Sequence, residues 1–527
     1  MDREYWRTIL WIGSWYQTIW CLWIVCTGFG SAQEAEFRVY PYIQNPSESA
    51  VSIRWLANEP DEATIEVRGA GFTKVFTSVP QVAESLRNNP WAPEAADRFE
   101  KAPYMHSVRV EGLATDSVYQ YTVKQSGYDF TSEFRTNPNA DRQIRFMVFA
   151  DSETEPESSS SGPIDWPREQ SSSRPEGRTK YLVDQTIGFQ KNLLIMADRQ
   201  PNFLCISGDL VESGGEQRDW DEFWRHLSGR YGKIASSVPI FPAIGNHENF
   251  GGPGGFGGYS AEAANFGVDK YLTYFEVPSN SATNPKHRGR YYRIDYGPVA
   301  LITLDSSDGE PANTDADTNH NLRGSNAPDF NPGSEQYQWL EQQLKDAQQT
   351  RRFTFVQFHH VPYGSGPHSI PYGQEKFSGQ SGIAMRVLMP LFHQYGVDAL
   401  FCGHDEMLEL SIVPGREQLK DGTYRARQLY VYDIGIGGDG LRGPSDGFEN
   451  PFRRFLAHDD FIENWEGNRL ISGGKHYGHV EVNVMKNDDG VWRASLEMVH
   501  AFPVTDDRGD VISWERRVLP NAVLIAP

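Results

Sequence analysis

The sequence predicts a β-sandwich followed by an α/β domain, and two changes of texture carry that reading. Between about residues 36 and 138, apolar and polar residues alternate in short runs separated by polar turns, the pattern of strands with one buried face. From about residue 144 the runs become continuously apolar and alternate with longer amphipathic segments, as buried strands separated by helices do. The chain has 527 residues, 39% hydrophobic and 23% charged, enough for two or three domains with a sizeable core.

In chain order, residues 1–32 read as an export signal. Arg3 and Arg7 precede an apolar, Trp-rich stretch from Ile9 to Gly28, and Gly30-Ser31-Ala32 offers small residues for cleavage. The mature protein is therefore expected in the periplasm or outside the cell, without a membrane anchor. An uncleaved anchor is the alternative, because the stretch is nearly long enough to span a bilayer. In the sandwich, 36–138, the expected strands include Val51 to Trp55, Thr64 to Val67, His106 to Val110 and Val118 to Val123, with a last run at Phe134 to Thr136. Residues 81–103, with Pro90, Trp91 and Pro93, look like an insertion.

In the α/β domain, 144–505, strands are expected at 144–150, 203–206, 299–304, 353–358, 399–402 and 429–432. Helices are expected at 180–197, 216–229, 334–348 and 382–395, and residues 506–527 as a C-terminal tail. Three loops interrupt the domain: a Ser-rich one at 154–178, a Gly-rich one at 250–258 and an Asp/Asn-rich one at 306–333. Asn313, Asp315, Asp317 and Asn319 fall at every second position. The central Gly and closing Glu of a helix-loop-helix calcium site are missing, so a solvated acidic loop is expected there.

With 70 acidic and 49 basic residues, the net charge is −21. That argues against a protein that holds nucleic acid through its phosphates, which needs an excess of Lys and Arg. It does not argue against a phosphate-ester substrate, because bound cations reverse the local sign. Cys21 and Cys26 leave with the signal, and Cys205 and Cys402 each close an apolar run; buried free thiols are expected.

The chemistry sits where strands end. Asp151, Gly208-Asp209, Gly245-Asn246-His247-Glu248, His359-His360-Val361-Pro362 and Gly403-His404-Asp405-Glu406 each follow an apolar run. Open α/β sheets place their sites outside the carboxyl ends of strands, and Gly before Asp209, Asn246 and His404 permits a tight turn beside an ion. Taken singly, each of these pairs is an ordinary turn. As an ordered set they resemble the blocks of the calcineurin-like metallophosphoesterases, and in particular the purple-acid-phosphatase branch with its fibronectin-like N-terminal domain. Arg290 to Val299 is similar to the family's strand pair between its third and fourth blocks, and His476-Tyr477-Gly478-His479-Val480 to its C-terminal Tyr-Gly strand. The resemblance covers nearly the whole mature chain. It implies a fibronectin-like sandwich and an α/β domain of two mixed sheets flanked by helices.

It also implies two metal ions and hydrolysis of a small phosphomonoester or phosphodiester by a metal-bound hydroxide. Two cations neutralise the ester, lower the pKa of a bound water and hold the ester in line. Asp209 matches the bridging carboxylate. The second ion, of the kind of Zn, Mn or Fe(II), is held by Asp209, Asn246, His360 and His404; His359 is the rival of His360, and the spacing to Pro362 favours His360. His247 takes the role of charge stabiliser or leaving-group acid.

The first site departs from the family pattern. Asp-x-His or Asp-x-Gly becomes Asp151-Ser152-Glu153, and Gly-His-x-His becomes Gly403-His404-Asp405-Glu406. Glu212 stands where the purple branch has a tyrosine, so no tyrosine-to-iron colour is expected. Asp151, Glu153, Asp209 and Glu406 are read as an oxygen-rich site for a harder ion, Mn, Mg, Ca or Fe(III). The alternative is a one-metal or catalytically impaired homologue that serves as a secreted binding protein. Arg290, Arg293, Tyr363 and His368 are the candidate substrate contacts.

Overall fold

The computed structural model describes residues 37–88, 101–157, 173–253, 257–322, 324–438, 440–458 and 461–527. The expected signal segment lies outside them. Among the described residues no helix is long and apolar enough to cross a membrane.

The alternating segments form two four-stranded antiparallel sheets. One runs Val39–Gln44, Ala50–Ala57, Tyr104–Glu111, Gln81–Val82, and the other Phe72–Ser78, Ala63–Gly69, Val118–Gln125, Tyr128–Arg135. Every second residue enters a shared core of Ile53, Trp55, Ile65, Val67, Tyr121 and Val123, as the two-residue period of a strand requires. The start of the expected insertion, Gln81–Val82, supplies an edge strand; residues 89–100 are outside the described ones.

The α/β part contains two seven-stranded mixed sheets. In the first, Ile240–Pro242, Phe203–Ile206 and Ile144–Phe149 are parallel neighbours, followed by the antiparallel Gly478–Lys486, Trp492–Thr505 and Val511–Val518. In the second, Val299–Thr303, Phe353–His360, Ala399–Gly403 and Tyr424–Ile434 are parallel, with antiparallel strands outside them. Residues 506–527 do not hang off as a tail: Val511–Val518 and Val523–Ile525 both pair with Trp492–Thr505.

The two sheets meet through phenylalanines. Phe146 stacks on Phe203 at 4.6 Å and meets Phe355 edge-on at 5.5 Å and Phe401 at 6.3 Å. The opposite face of the second sheet, with Val356, Phe358, Leu400 and Cys402, packs under Leu340, Leu344, Leu391 and Phe392. Both faces of these strands are buried, which is why they read as unbroken apolar runs. Cys205 and Cys402 are buried free thiols.

Helices form at Gln185–Asp198, Gln217–Leu227 and Glu335–Thr350. The segment 382–395 begins as a 3₁₀ turn, Gly382–Leu388, and becomes α-helical only at Met389–Gln394, where Pro390 occupies the first turn, the one place a helix accepts it. The helix Ala261–Tyr274 was not foreseen. Ser260 caps it by accepting the Ala263 N–H at 3.3 Å.

The sandwich is fastened to the α/β part by polar contacts inside a buried seam. Arg38 forks onto Asp221 at 2.9 and 2.7 Å, the Tyr42 hydroxyl donates to the Tyr274 carbonyl at 3.0 Å and the Tyr121 hydroxyl to the Ser236 carbonyl at 2.8 Å.

Candidate metal centre

Parallel strands from the two sheets bring five loops to one edge. Four of them carry Asp151, Asp209, Asn246 and His404, and the fifth follows the strand Phe353–His360, in which His359 is the last residue but one. The backbone there is forced. Asp151, Glu153, Asp209, His404 and Glu406 have φ of 55°, 34°, 51°, 85° and 49°, a left-handed conformation that costs a non-glycine residue roughly 1–3 kcal/mol. Such strain persists only where surrounding contacts overdetermine it. Two glycines permit the approach. A Cβ on Gly208, whose φ is +98°, would stand 2.6 Å from His359 Nδ1, and one on Gly403 would stand 2.0 Å from Asp151 Oδ2.

His359 is the hub. Its Nδ1 lies 3.0 Å from the Ser207 carbonyl, which can only accept, so Nδ1 carries hydrogen and Nε2 faces inward. Around Nε2 lie Asp209 Oδ2 at 2.8 Å, Asn246 Oδ1 at 2.8 Å and His404 Nδ1 at 3.2 Å. Asn246 is oriented by donating from Nδ2 to the Tyr259 hydroxyl at 3.1 Å, which leaves Oδ1 for the cluster. One carboxylate oxygen, one amide oxygen and two imidazole nitrogens thus converge within a few ångströms, the spacing of ligand atoms on one ion.

The charges of the cluster are strongly linked. Burial alone would depress the His359 imidazole, yet Asp209 outweighs it and lifts it to about 9. Burial alone would raise Asp209, but His359 and His247 hold it well below the usual carboxylate range. Burial and the neighbouring imidazoles push His404 well below its ordinary value, so its lone pair stays available. The residues present fit a divalent cation.

The structure brings His359 Nε2 into the cluster and sets His360 beside it, its ring 4.5 Å from that of His404. The Nδ1 of His360 lies 2.9 Å from Ser306 Oγ, and its Nε2 is buried without a hydrogen-bond partner among the described residues. Phe353 and Phe355 share a face with His359 and point between the sheets, whereas Val356 and Phe358 share one with His360 and point to the outer helices. The period of two along a strand decides between adjacent residues.

At the first position Asp151, Glu153 and Asp209 each bring an oxygen within 4.8 Å of the others. The Asp151 carboxylate also accepts the His404 N–H at 3.0 Å. Glu406 does not join them. Its two oxygens face the Arg442 guanidinium, Nε on one and Nη2 on the other, and the Arg442 N–H donates to the Glu406 carbonyl at 3.1 Å. Glu153, Glu212 and His247 form an adjoining group. The Nδ1 of His247 lies 2.6 Å from the Glu212 carbonyl, and its Nε2 3.8 Å from Glu153 Oε1.

Glu248 has a part that the sequence did not reveal. It is fully buried; Oε1 accepts the Leu210 N–H at 2.8 Å, and Oε2 accepts those of Asp209 at 3.1 Å and Gly245 at 2.7 Å. One side chain thereby ties the Asp209 loop to the Asn246 loop. Such a role has no motif of its own, since it depends on two loops meeting.

Of the candidate substrate contacts, His368 reaches the centre, stacked on His404 at 4.0 Å. The other three do not. Arg290 is buried and paired with Asp305 at 2.6 Å. Arg293 is held by Asp295 at 2.9 Å and Asp346 at 2.7 Å. Tyr363 lies under Arg386 at 4.4 Å and against Phe452 at 5.2 Å. In the 306–333 loop, Asp317 is buried rather than solvated and accepts N–H groups from Asn313 at 2.7 Å and Asn319 at 3.0 Å, which is a loop brace.

Residues 180–405 match the calcineurin-like phosphoesterase family, a span that includes Asp209, Asn246, His359 and His404. An uncharacterized protein of Mycobacterium tuberculosis is 28% identical over 318 residues, 58% of this chain and 50% of its own length. Probable inactive purple acid phosphatase 27 of Arabidopsis thaliana is 24% identical over 322 residues, 59% of this chain and 45% of its own. The chain thus spans about half the length of the curated relatives it matches. Among solved structures, purple acid phosphatase PPD1 from yellow lupin (Lupinus luteus) seeds superposes with a TM-score of 0.60 at 18% identity, covering 93% of this chain and 74% of that one. The structure of PhoD gives 0.54 at 13% identity, covering 94% and 90%. Residues 180–405 are thus similar to the calcineurin-like phosphoesterases, and the chain shares its fold with purple acid phosphatase PPD1.

Proposed function

We propose that the chain hydrolyses small phosphate esters at a metal centre held by Asp209, Asn246, His359 and His404. The observation that carries this reading is the convergence of three donor atoms on His359 Nε2. An ion bound there supplies Lewis-acid polarisation of the phosphoryl oxygen and an acidified water. The chain's own residues do the rest. Asp209 uses one oxygen toward the cluster and the other to accept the His247 N–H at 2.8 Å, which locks its rotamer. The Nδ1–H of His247 donates to the Glu212 carbonyl, so Nε2 is the atom that would carry the proton given to the departing alkoxide. Asp151, Glu153 and Asp209, three carboxylates without an imidazole, suit a harder and more weakly held ion such as Mg, Mn, Ca or Fe(III). The substrate is a phosphomonoester or phosphodiester, and the chain is read as exported by the signal at residues 1–32.

The test is hydrolysis of a chromogenic phosphomonoester and a chromogenic phosphodiester after reconstitution with each ion. Turnover that disappears with chelator and in Asp209→Asn is expected; absence of turnover with every ion would sink the reading. A second reading, a binding protein with impaired catalysis, is favoured by one observation, the engagement of Glu406 with Arg442. It requires phosphate binding without turnover in the same preparations.

A further inference from the structure

The pairing of Glu406 with Arg442 has a chemical consequence for the site. The Glu406 side chain is buried and Arg442 is 40% exposed, so the guanidinium closes the wall of the centre and still faces solvent. It makes three links to Glu406: its Nε and Nη2 meet the two carboxylate oxygens and its backbone N–H the carbonyl. A carboxylate whose two oxygens are both taken by a fork of N–H groups has little left to offer an ion. The remaining nitrogen, Nη1, lies 3.4 Å from His368 Nε2, and His368 stacks on His404 at 4.0 Å. A positive charge therefore stands beside the His404 ligand on a side chain with more N–H donors than Glu406 uses.

Resting on the hydrolytic reading above, we propose that Arg442 takes over the charge role of the first metal. It neutralises Glu406 and presents its guanidinium to the phosphoryl oxygens of the substrate, so the chain keeps one tightly held ion. A guanidinium suits this because it is planar, permanently charged and binds phosphate through two parallel hydrogen bonds. The remaining carboxylates, Asp151 and Glu153, group with Asp209 and bring oxygen but no nitrogen donors.

The experiment uses the full chain loaded with metal, and reads metal per chain by elemental analysis after dialysis together with inorganic phosphate affinity by calorimetry. Wild-type protein is expected to retain one ion. Arg442→Met is expected to weaken phosphate binding about tenfold, the scale of one charge-assisted contact, and Arg442→Lys to weaken it less. Arg442→Met combined with Glu406→His, which restores an imidazole and frees the wall, is expected to retain a second ion. Two tightly held ions in wild-type protein, or phosphate affinity unchanged in Arg442→Met, would overturn the proposal. Both readouts are independent of turnover, so failure to hydrolyse esters would count against the hydrolytic reading alone.

Discussion

The Nε2 atom of His359 lies 2.8 Å from Asp209 Oδ2, joining the end of a strand in one sheet to the loop after a strand in the other. The contact crosses the seam between the two sheets, so the geometry of the centre depends on how those sheets pack.

His359 and His360 are expected to behave differently despite being neighbours. His359→Ala removes a donor at the cluster and should lower metal affinity by more than the ~10–100-fold that loss of an outer-shell partner costs. His360→Ala should stay within that range, because His360 contacts Ser306 rather than Asp209. Metal content after dialysis and turnover of a chromogenic ester measure both. Equal losses would place His360 in the ligand set.

Glu248 holds three N–H groups of two ligand loops. In Glu248→Gln one of its oxygens becomes an NH₂ that faces a donor, leaving a buried N–H unsatisfied. A loss of about 2 kcal/mol is expected from the desolvated group, with weaker metal binding. Urea unfolding of the metal-free protein separates the stability effect from the binding effect; unchanged stability would argue that the loops hold each other without it.

The Asn246 amide is oriented by the Tyr259 hydroxyl. Tyr259→Phe removes the acceptor and frees the amide to rotate its nitrogen toward the cluster. Metal affinity should drop about tenfold with stability nearly unchanged. Isothermal titration with zinc or manganese reads the difference, and an unaltered affinity would mean that the amide is fixed by the ion alone.

Acid stability should depend on Glu481. It is buried, and burial alone would raise its carboxyl; Arg199, Asn483 and Arg516 overcome that and hold it near about 2, below its ordinary 4.5. A lowered carboxyl stabilises the folded chain at pH above its ordinary value, and that contribution is lost as pH falls through the folded value. Between pH 4.5 and 2 the wild-type protein should therefore lose about 2 kcal/mol that Glu481→Gln does not lose, after allowance for partly exposed arginines. Unfolding curves of both proteins across that range are the measurement; parallel pH profiles would remove Glu481 from the account.

Much of the fold was legible because burial leaves a mark on composition. Phe203 to Ile206 is apolar throughout, Phe353 to Phe358 is apolar apart from Thr354 and Gln357, and both are strands in the structure. The Ala261–Tyr274 helix escaped because its first turns are small residues with little contrast between faces, and its ordering comes from a cap at Ser260 and from packing. The strands at 511–518 and 523–525 escaped because they lie at the edge of their sheet and expose many residues, Ile512 at 64% and Leu524 at 65% among them. An edge strand need not look apolar.

The sequence by itself determined which kinds of donor are present and in what order, because metal chemistry admits few residue types and a strand end fixes where each emerges. It singled out Asp209, Asn246 and His404 as candidates, and the structure brings their side chains together around His359. Only the tertiary structure set His359 Nε2 against Asp209 and Asn246, since both faces of that strand are buried and its sequence does not mark which face meets the other sheet. Only it paired Glu406 with Arg442, 36 residues further along the chain, because an ion pair of that kind is set by the path of a loop, and a loop's path leaves no periodicity in the sequence.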